Sequence, residues 1–306
     1  MEKKRNEQRK MERSSRALFS IVSMCMMCMM CMTAYSQSLT INVLDAQFTQ
    51  PAVERLIAEY NNKVDHEFSA RVVKSATESA DATVSLSVFP EDDERLVGRF
   101  VVLPVANSQS ELLQNKKVRR GLNDKLKRQI YLECDVVDEL DALEAGEKPL
   151  PGTVYTLCNK KSVTSKVVAR ILKSDNAQFK GKKILGREEN LLTAVITNSD
   201  AVSYNIATLI YDETNRQPLS GLTVLPTDLD DNGKVSDEER EAVGSLDALT
   251  RFLESLPKSS VSTGCINIDT NNVRVKRFVE WVQTDGQVFL AGYGLLKLEN
   301  KLTAQR

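Results

Sequence analysis

Methionine is missing from most of this chain: all eight methionines lie within the first 32 of its 306 residues. Three of the six cysteines lie in the same short region. An evenly composed globular chain does not distribute residues in this way, so the N-terminus is a distinct segment. The composition, with 42% hydrophobic and 27% charged residues, excludes a mainly disordered, collagen-like or disulfide-dense chain. The length suits one large or two medium domains.

The first 36 residues have the three parts of a secretory signal peptide. Residues 1–16 contain seven Lys/Arg against three Glu, and residues 17–33 are apolar and uncharged. Ala34-Tyr35-Ser36 then places small residues at a cleavage site before Gln37. The apolar run is shorter than the roughly 20 residues that span a bilayer comfortably. We therefore expect an exported, periplasmic protein, cleaved near Ser36, with no membrane span in its mature form. A retained N-terminal anchor is the alternative.

After residue 36 the chain has one histidine and no excess of basic residues. Removing the leader from 41 Lys/Arg and 42 Asp/Glu leaves 34 and 39, a net charge of −5, which argues against nucleic acid as a partner. The one histidine, His66, lies between Asp65 and Glu67 and is expected on the solvated surface rather than as a catalytic base. No nucleophile-elbow or phosphate-loop motif is present. We therefore expect neither an enzyme nor an organic cofactor.

Short β-branched runs alternate with helical periods, which predicts an α/β fold with a substantially parallel sheet. Apolar residues at i, i+3 and i+4 spacing predict helices over 49–60, 162–172 and 245–256. Thr49 is the predicted N-cap of the first helix, with Pro51 in its first turn. Strands are predicted at residues 38–44, 71–74, 82–89, 100–105, 153–158 and 222–225. Residues 146–152 form a predicted turn-rich linker.

A block of charge occupies the middle of the chain. Residues 116–128 contain seven basic residues in thirteen, and residues 133–147 contain seven acidic residues in fifteen. Leu122, Leu126 and Ile130 recur every four residues, which predicts one helix with a buried apolar side and a solvated basic face. A dedicated anion site is the less favoured alternative.

Residues 228–239 fit the twelve-residue calcium loop of the EF-hand, with glycine at its sixth position and glutamate at its twelfth. A hard cation needs six or seven oxygens, and glycine permits the sharp bend. The predicted ligands are Asp228, Asp230, Asn232, the Lys234 carbonyl, Ser236 and Glu239. No helix leads into the loop and no second loop pairs with it, so we expect a solitary, structural Ca²⁺ site with an affinity of about 10⁻⁴–10⁻³ M. An ordinary polar turn is the alternative.

Four further segments, taken in order, carry a family resemblance. They are Asp45-Ala46-Gln47-Phe48-Thr49-Gln50-Pro51 with Tyr60 after it, Val102-Leu103-Pro104-Val105, Ala201-Val202-Ser203-Tyr204, and Phe278-Val279-Glu280-Trp281-Val282-Gln283-Thr284-Asp285-Gly286-Gln287 with Gly292-Tyr293-Gly294 after it. The last is the most specific. Over nearly all of residues 38–302 the chain resembles the phosphate-binding protein of the high-affinity phosphate ABC importer, within the type II periplasmic binding protein superfamily.

The resemblance implies two lobes built from mixed, largely parallel sheets flanked by helices, with a ligand cleft between them. Lobe 1 would contain residues 37–103 and 262–306, and lobe 2 residues 104–261. The implied ligand is a small oxyanion such as phosphate, and the implied partner is an inner-membrane ABC permease or another envelope protein. Helix starts with free N–H groups and hydroxyls are ready anion sites. The implied ligand-binding residues are Gln47, Phe48, Thr49, Ser75 and Thr77 in lobe 1, and Ser162, Thr164 and Ser165 in lobe 2.

The chain departs from the family pattern at the expected ligand. The family's R-x-x-x-S-G-T-T corresponds to residues 158–165, so that Cys158 replaces the arginine and Val163 the glycine. A lost Arg–oxyanion pair costs about 1.5–3 kcal/mol, and Lys160 or Lys161 would replace it only as a point charge. We expect an exported, non-catalytic solute-binding protein of phosphate-binding type. The alternative is a cell-envelope interaction protein that keeps the scaffold and has lost phosphate binding.

Overall fold

A computed structural model describes residues 38–75, 79–89, 94–133, 150–159, 162–174, 178–257 and 263–298. The strands are β1 (Leu39–Asn42), β2 (Ala70–Val73), β3 (Ala82–Ser87), β4 (Leu96–Asn107), β5 (Thr153–Leu157), β6 (Lys182–Ile184), β7 (Ala201–Ile206), β8 (Leu222–Val224) and β9 (Thr263–Thr270). The α-helices are α1 (Gln50–Lys63), α2 (Lys116–Arg120), α3 (Asp124–Tyr131), α4 (Val163–Ile171), α5 (Glu188–Thr197), α6 (Ala207–Ile210), α7 (Asp237–Ala242), α8 (Leu246–Ser255) and α9 (Val273–Val282). The predicted signal peptide and most of the predicted linker lie outside the described residues.

The nine described strands form one mixed sheet in the order β2-β1-β3-β9-β4-β7-β5-β6, with β8 beside β4. β1 pairs in parallel with β2 and β3, and β5 with β6 and β7. Every antiparallel pairing involves β4 or β9. The predicted α/β class is confirmed, but only half of the eight pairings are parallel, because β4 and β9 run against their neighbours.

Strand β4 changes its pairing partner halfway along its length. Its first half pairs with β9 as far as Val101, opposite Thr263, and its second half pairs with β7 from Val102, opposite Ile206. Successive side chains enter different apolar clusters: Phe100 and Val102 pack in one, Val101 and Leu103 in the other. Because both faces of the strand are covered, its sequence is a nearly continuous apolar run. The division into lobes at residue 103 stays a prediction.

Helix α1 confirms the predicted periodicity, since its four apolar marker residues, Val53, Leu56, Ile57 and Tyr60, are all buried. Thr49 occupies the N-cap position, as predicted, but its side chain makes no capping hydrogen bond. A 3₁₀ turn over Gln47–Thr49 runs directly into α1, so the backbone of Thr49 is already helical. Its hydroxyl therefore donates back to the Ala46 carbonyl, at 2.7 Å, rather than capping the helix. The helices predicted at 162–172 and 245–256 are confirmed as α4 and α8.

The basic block folds differently from the prediction of one helix. α2 ends at Gly121, whose φ of 125° is open to glycine but strained for other residues, and α3 begins afresh with Asn123 as its N-cap. The basic face is also not fully solvated, because Lys127 is 2% exposed. Its neighbours Leu126 and Ile130 are buried as predicted.

Three strands have no counterpart among the predictions: the short edge strand β6, the strand β7 and the central strand β9. β9 has the sequence TGCINIDT, and its first six residues are buried although they include Thr263 and Asn267. Asn267 donates to the Ser87 hydroxyl at 3.1 Å, which provides a partner for its buried amide N–H. Among the described helices, none combines the length and the apolar character needed to cross a membrane.

Candidate functional site

The residues predicted to bind the ligand in lobe 1 turn largely inward. The Phe48 ring meets the Phe100 ring edge to face, with centroids 5.2 Å apart, and Thr49 is 1% exposed with its hydroxyl bonded to Ala46. Gln47 is half-buried and Ser75 is exposed, while Thr77 lies outside the described residues. Among the described members of this set, Ser75 is thus the one whose side chain is open to solvent.

The residues predicted in lobe 2 lie together at the start of α4. Ser162 is the N-cap, and its hydroxyl oxygen accepts from the Ser165 N–H at 3.1 Å. The Ser165 hydroxyl donates to the Asn159 carbonyl at 3.3 Å. The Thr164 hydroxyl donates to the Glu188 carboxylate at 2.6 Å. The helix start predicted from the sequence is therefore present, and its hydroxyls already have partners.

Two features of this helix start bear on anion binding. Cys158, at the position of the family arginine, is an exposed free thiol, and Lys160 and Lys161 lie outside the described residues. Glu188 then places a negative charge beside Thr164. A carboxylate at hydrogen-bond distance from a would-be ligand group opposes a second negative charge there.

The two predicted sets do not meet through any hydrogen bond of their described members, since each hydroxyl bonds within its own neighbourhood. Thr164 and Ser165 line a small apolar cavity of about 20 Å³ together with Tyr131 and Tyr155. No lobe 1 residue from the predicted set lines that cavity within the described part of the chain. The assignment of these residues to one oxyanion site therefore stays a prediction.

The loop at residues 228–239 connects β8 to α7, so an extended segment precedes it, as predicted. Asp228 accepts from the N–H groups of Asn232 and Gly233 at 3.1 and 2.7 Å. Glu239, which is fully buried, accepts from Leu229 and Ser236 N–H groups, both at 2.7 Å. These bonds hold the carboxylates toward the inside of the loop.

The predicted metal ligands are partly gathered. Asp228, Asp230 and Glu239 each offer a carboxylate oxygen within 4.8 Å of the others. The Asn232 side-chain oxygen accepts from the Lys234 N–H at 2.9 Å, and the Ser236 hydroxyl accepts from the Glu239 N–H at 3.1 Å. Burial raises the pKa of Asp228, although the Gly233 N–H and the charge of Lys127 oppose the rise. The binding of a cation by this loop stays a prediction.

A second cavity, of about 40 Å³, lies beside β4 and contains groups that sequence reasoning missed. The missed residues are Lys127, Arg170, Lys173 and Tyr204, and the predicted metal ligand Asp228 also lines the cavity. None of the eight predicted oxyanion ligands lines it. The one sequence signal was the spacing of Lys127, three and four residues before Ile130 and Tyr131, which places a lysine on the buried side of α3.

No protein-family model and no curated protein sequence matches this chain. Solved structures do. A protein described as a phosphate ABC transporter substrate-binding protein with bound phosphate, from Clostridium perfringens, aligns with a TM-score of 0.52 over 86% of this chain and 100% of its own, at 12% identity. An ABC-type phosphate transport receptor from Vibrio cholerae has a TM-score of 0.48 over 85% of this chain and 100% of its own, also at 12% identity. A C206 mutant of OxyR from Corynebacterium glutamicum has a TM-score of 0.45 over 91% of this chain and 73% of its own, at 10% identity. The first likeness confirms the predicted fold: the chain has the α/β fold of type II periplasmic binding proteins.

Proposed function

We propose that this chain is an exported, non-catalytic solute-binding protein that captures a small oxyanion of phosphate type for an envelope transport system. The observation that carries the proposal is the likeness to a substrate-binding protein with bound phosphate, which extends over 86% of this chain and 100% of that protein. Because the two sequences are only 12% identical, this structural likeness supports the fold alone. The proposed ligand rests on the family resemblance of the sequence motifs. An ABC permease of the inner membrane is the proposed partner.

The affinity for phosphate is expected to be weaker than a bidentate arginine would give. A cysteine side chain at position 158 supplies no cation for the ligand, and the loss of an Arg–oxyanion pair costs about 1.5–3 kcal/mol, or about tenfold to a hundredfold in Kd. The Glu188 carboxylate beside Thr164 acts in the same direction. Tight binding of phosphate would therefore need a cation elsewhere in the molecule that compensates for the missing arginine.

One observation favours the second candidate, a cell-envelope interaction protein on the same scaffold that has lost small-ligand binding. The hydroxyls of Thr49, Thr164 and Ser165 are all engaged within the protein. A site of this kind needs no ligand to satisfy its polar groups, and binding would first require those bonds to break.

Thermal unfolding of the purified protein separates the two candidates. A ligand that binds only the native state raises its stability by about 2.7 kcal/mol at a concentration of 100 Kd. We expect a rise in Tm with millimolar phosphate at constant ionic strength, with chloride as the control for salt. No rise with phosphate, sulfate or related oxyanions would favour the interaction protein. Export is tested separately by fractionating cells and sequencing the N-terminus, which should begin at Gln37.

We also propose that the loop at residues 228–239 binds one structural Ca²⁺ weakly, about 10⁻⁴–10⁻³ M. Its support is the twelve-residue ligand pattern of the sequence. Calorimetry with millimolar Ca²⁺ should release or absorb heat with the wild type and with Glu238→Gln, whose side chain is exposed and not a ligand. Glu239→Gln should remove the heat. A wild type that shows no heat would contradict the proposal.

A further inference from the structure

Tyr204, which lines the cavity beside β4 and also the smaller cavity at the start of α4, has a buried hydroxyl without a hydrogen-bond partner. Tyr204 is 5% exposed, and its hydroxyl oxygen is buried and unpaired. Burial first, and then the nearby Tyr131 and Asp124, raise the pKa of Tyr204 far above its usual value, so the hydroxyl keeps its proton and can donate. A native protein pairs nearly all of its buried polar groups, and an exception indicates a water or an ion at that place.

The ammonium group of Lys127 lines the same cavity. Its side chain is 3% exposed and contacts one anionic partner, Asp124, at 2.8 Å. An ammonium has three N–H donors, and leaving a buried donor unmet is costly. Tyr204 and Lys127 are thus buried lining residues whose hydroxyl and ammonium groups still have N–H or O–H donors to offer. Lys173 and Asp231, whose side chains are 53% and 50% exposed, line the cavity on its solvent side.

Six charged groups face this region, three of each sign. Lys173 pairs with Asp124 at 2.7 Å and with Asp231 at 2.9 Å, and Lys127 shares Asp124. The Asp228 carboxylate is directed into the calcium-like loop by two backbone N–H groups. Both lysines thus have carboxylate partners that balance their charge within the described part of the chain.

Arg170 is the exception. Its guanidinium donates to the Val88 carbonyl at 3.4 Å and lies over the Phe89 ring at 4.8 Å. No carboxylate pairs with it among the described residues. A guanidinium has five N–H donors in a planar fork that matches an oxyanion, so this arginine retains unused donors beside the cavity.

We infer that the cavity lined by Lys127, Arg170 and Tyr204 is the oxyanion site of this protein, in place of the hydroxyls at the start of α4. Water alone would satisfy the Tyr204 hydroxyl but would leave the charge of Arg170 without a counter-ion among the described residues. A small inorganic oxyanion supplies acceptors to all three groups and balances that charge. The cavity volume of about 40 Å³ exceeds the roughly 10–15 Å³ that one water needs. The inference rests on the proposed function and names its site.

The test compares phosphate and sulfate binding by calorimetry in the wild type and four variants. Tyr204→Phe removes one unpaired hydroxyl, so we expect an unchanged or higher Tm without ligand and a Kd raised about 2- to 10-fold. Arg170→Gln should raise the Kd about 10- to 100-fold. Tyr211→Phe is the matched control, since its hydroxyl donates to Val243 outside the cavity, and Ser165→Ala tests the predicted helix start.

The outcomes separate the two proposals. Weaker binding in Tyr204→Phe and Arg170→Gln, with normal binding in Tyr211→Phe and Ser165→Ala, supports the cavity. Normal binding in the first pair, or a loss confined to Ser165→Ala, overturns the cavity and leaves the proposed function standing. A wild type that binds neither anion overturns both, and the unpaired hydroxyl then holds water only.

Discussion

The Phe100 ring of β4 lies directly over the backbone of Gly264 in β9, so closely that a methyl group on Gly264 would come within 2.1 Å of the ring. These two residues are opposite each other in the antiparallel pairing. The Phe100 ring is fully buried and also contacts the Phe48 ring edge to face, so its neighbours restrict its movement.

We predict that Gly264→Ala destabilises the protein by about 1–3 kcal/mol or more, since overpacking a close-packed core forces strain on its neighbours. Gly292→Ala is the control, because a methyl group there meets nothing within 4 Å. Urea unfolding of both variants measures the difference. Equal stability of the two would show that the ring can move.

A second prediction concerns the break between α2 and α3. Gly121 has a φ of 125°, and a methyl group there would lie 2.5 Å from the Val235 side chain. Gly233, with a φ of 85°, has no neighbour within 4 Å. Gly233→Ala should therefore cost about 1–2 kcal/mol for the backbone alone, and Gly121→Ala should cost more because of the added clash. If urea unfolding shows the same loss of stability in both variants, the Val235 side chain can move away from the added methyl group.

Gln287 provides a third prediction. Its side-chain amide donates to the carbonyls of Val97 and Val282 at 2.9 and 2.7 Å, and its oxygen accepts from the Leu298 N–H at 2.7 Å. Gln287→Met would leave these buried groups unpaired, so we expect a loss of about 2–4 kcal/mol. The exposed Gln217→Met is the control and should change stability by less than about 0.5 kcal/mol.

The fourth prediction is a pH dependence at Glu59 on α1. Its hydrogen bond with Lys63 lowers the pKa of Glu59, burial opposes this, and the charge of Arg55 adds to the lowering. An acid whose pKa is lowered on folding adds stability above its ordinary pKa of 4.5 and loses it as the pH falls through the lowered value. Glu59→Gln should therefore lower Tm at pH 7 and have little effect at pH 2. A Tm difference that persists at pH 2 would point to packing rather than charge.

The most specific part of the family resemblance turns out to be structural. Gly286 lies against the Trp281 ring, where a methyl group would approach within 3.1 Å, and Gln287 joins three backbone segments. These residues determine how α9 packs, so their pattern predicts the fold and does not identify a ligand. This explains why the fold is confirmed although the predicted ligand residues stay untested.

Features that depend on distant contacts could not be predicted from the sequence. Periodicity found α1, α4 and α8, since each buries one apolar side. Strand β9 was not predicted because its buried residues include Thr263 and Asn267, which a polar sequence pattern assigns to the surface. The spacing of Lys127 indicates the buried side of α3 and its ion pair with Asp124, but the cavity beside β4 is formed by distant segments and is not visible in a basic block.

Strand β4 has twelve residues, and at a rise of about 3.4 Å per residue it is a rod of roughly 40 Å. Its partner changes between Val101 and Val102. No other described strand pairs with both β9 and β7, so rotation of one half of the sheet against the other must twist β4 at this junction. The cavity with Tyr204 and Lys127 is lined by Val101 and Val102 themselves. An ion held there would lie beside the two residues at which β4 changes its pairing partner.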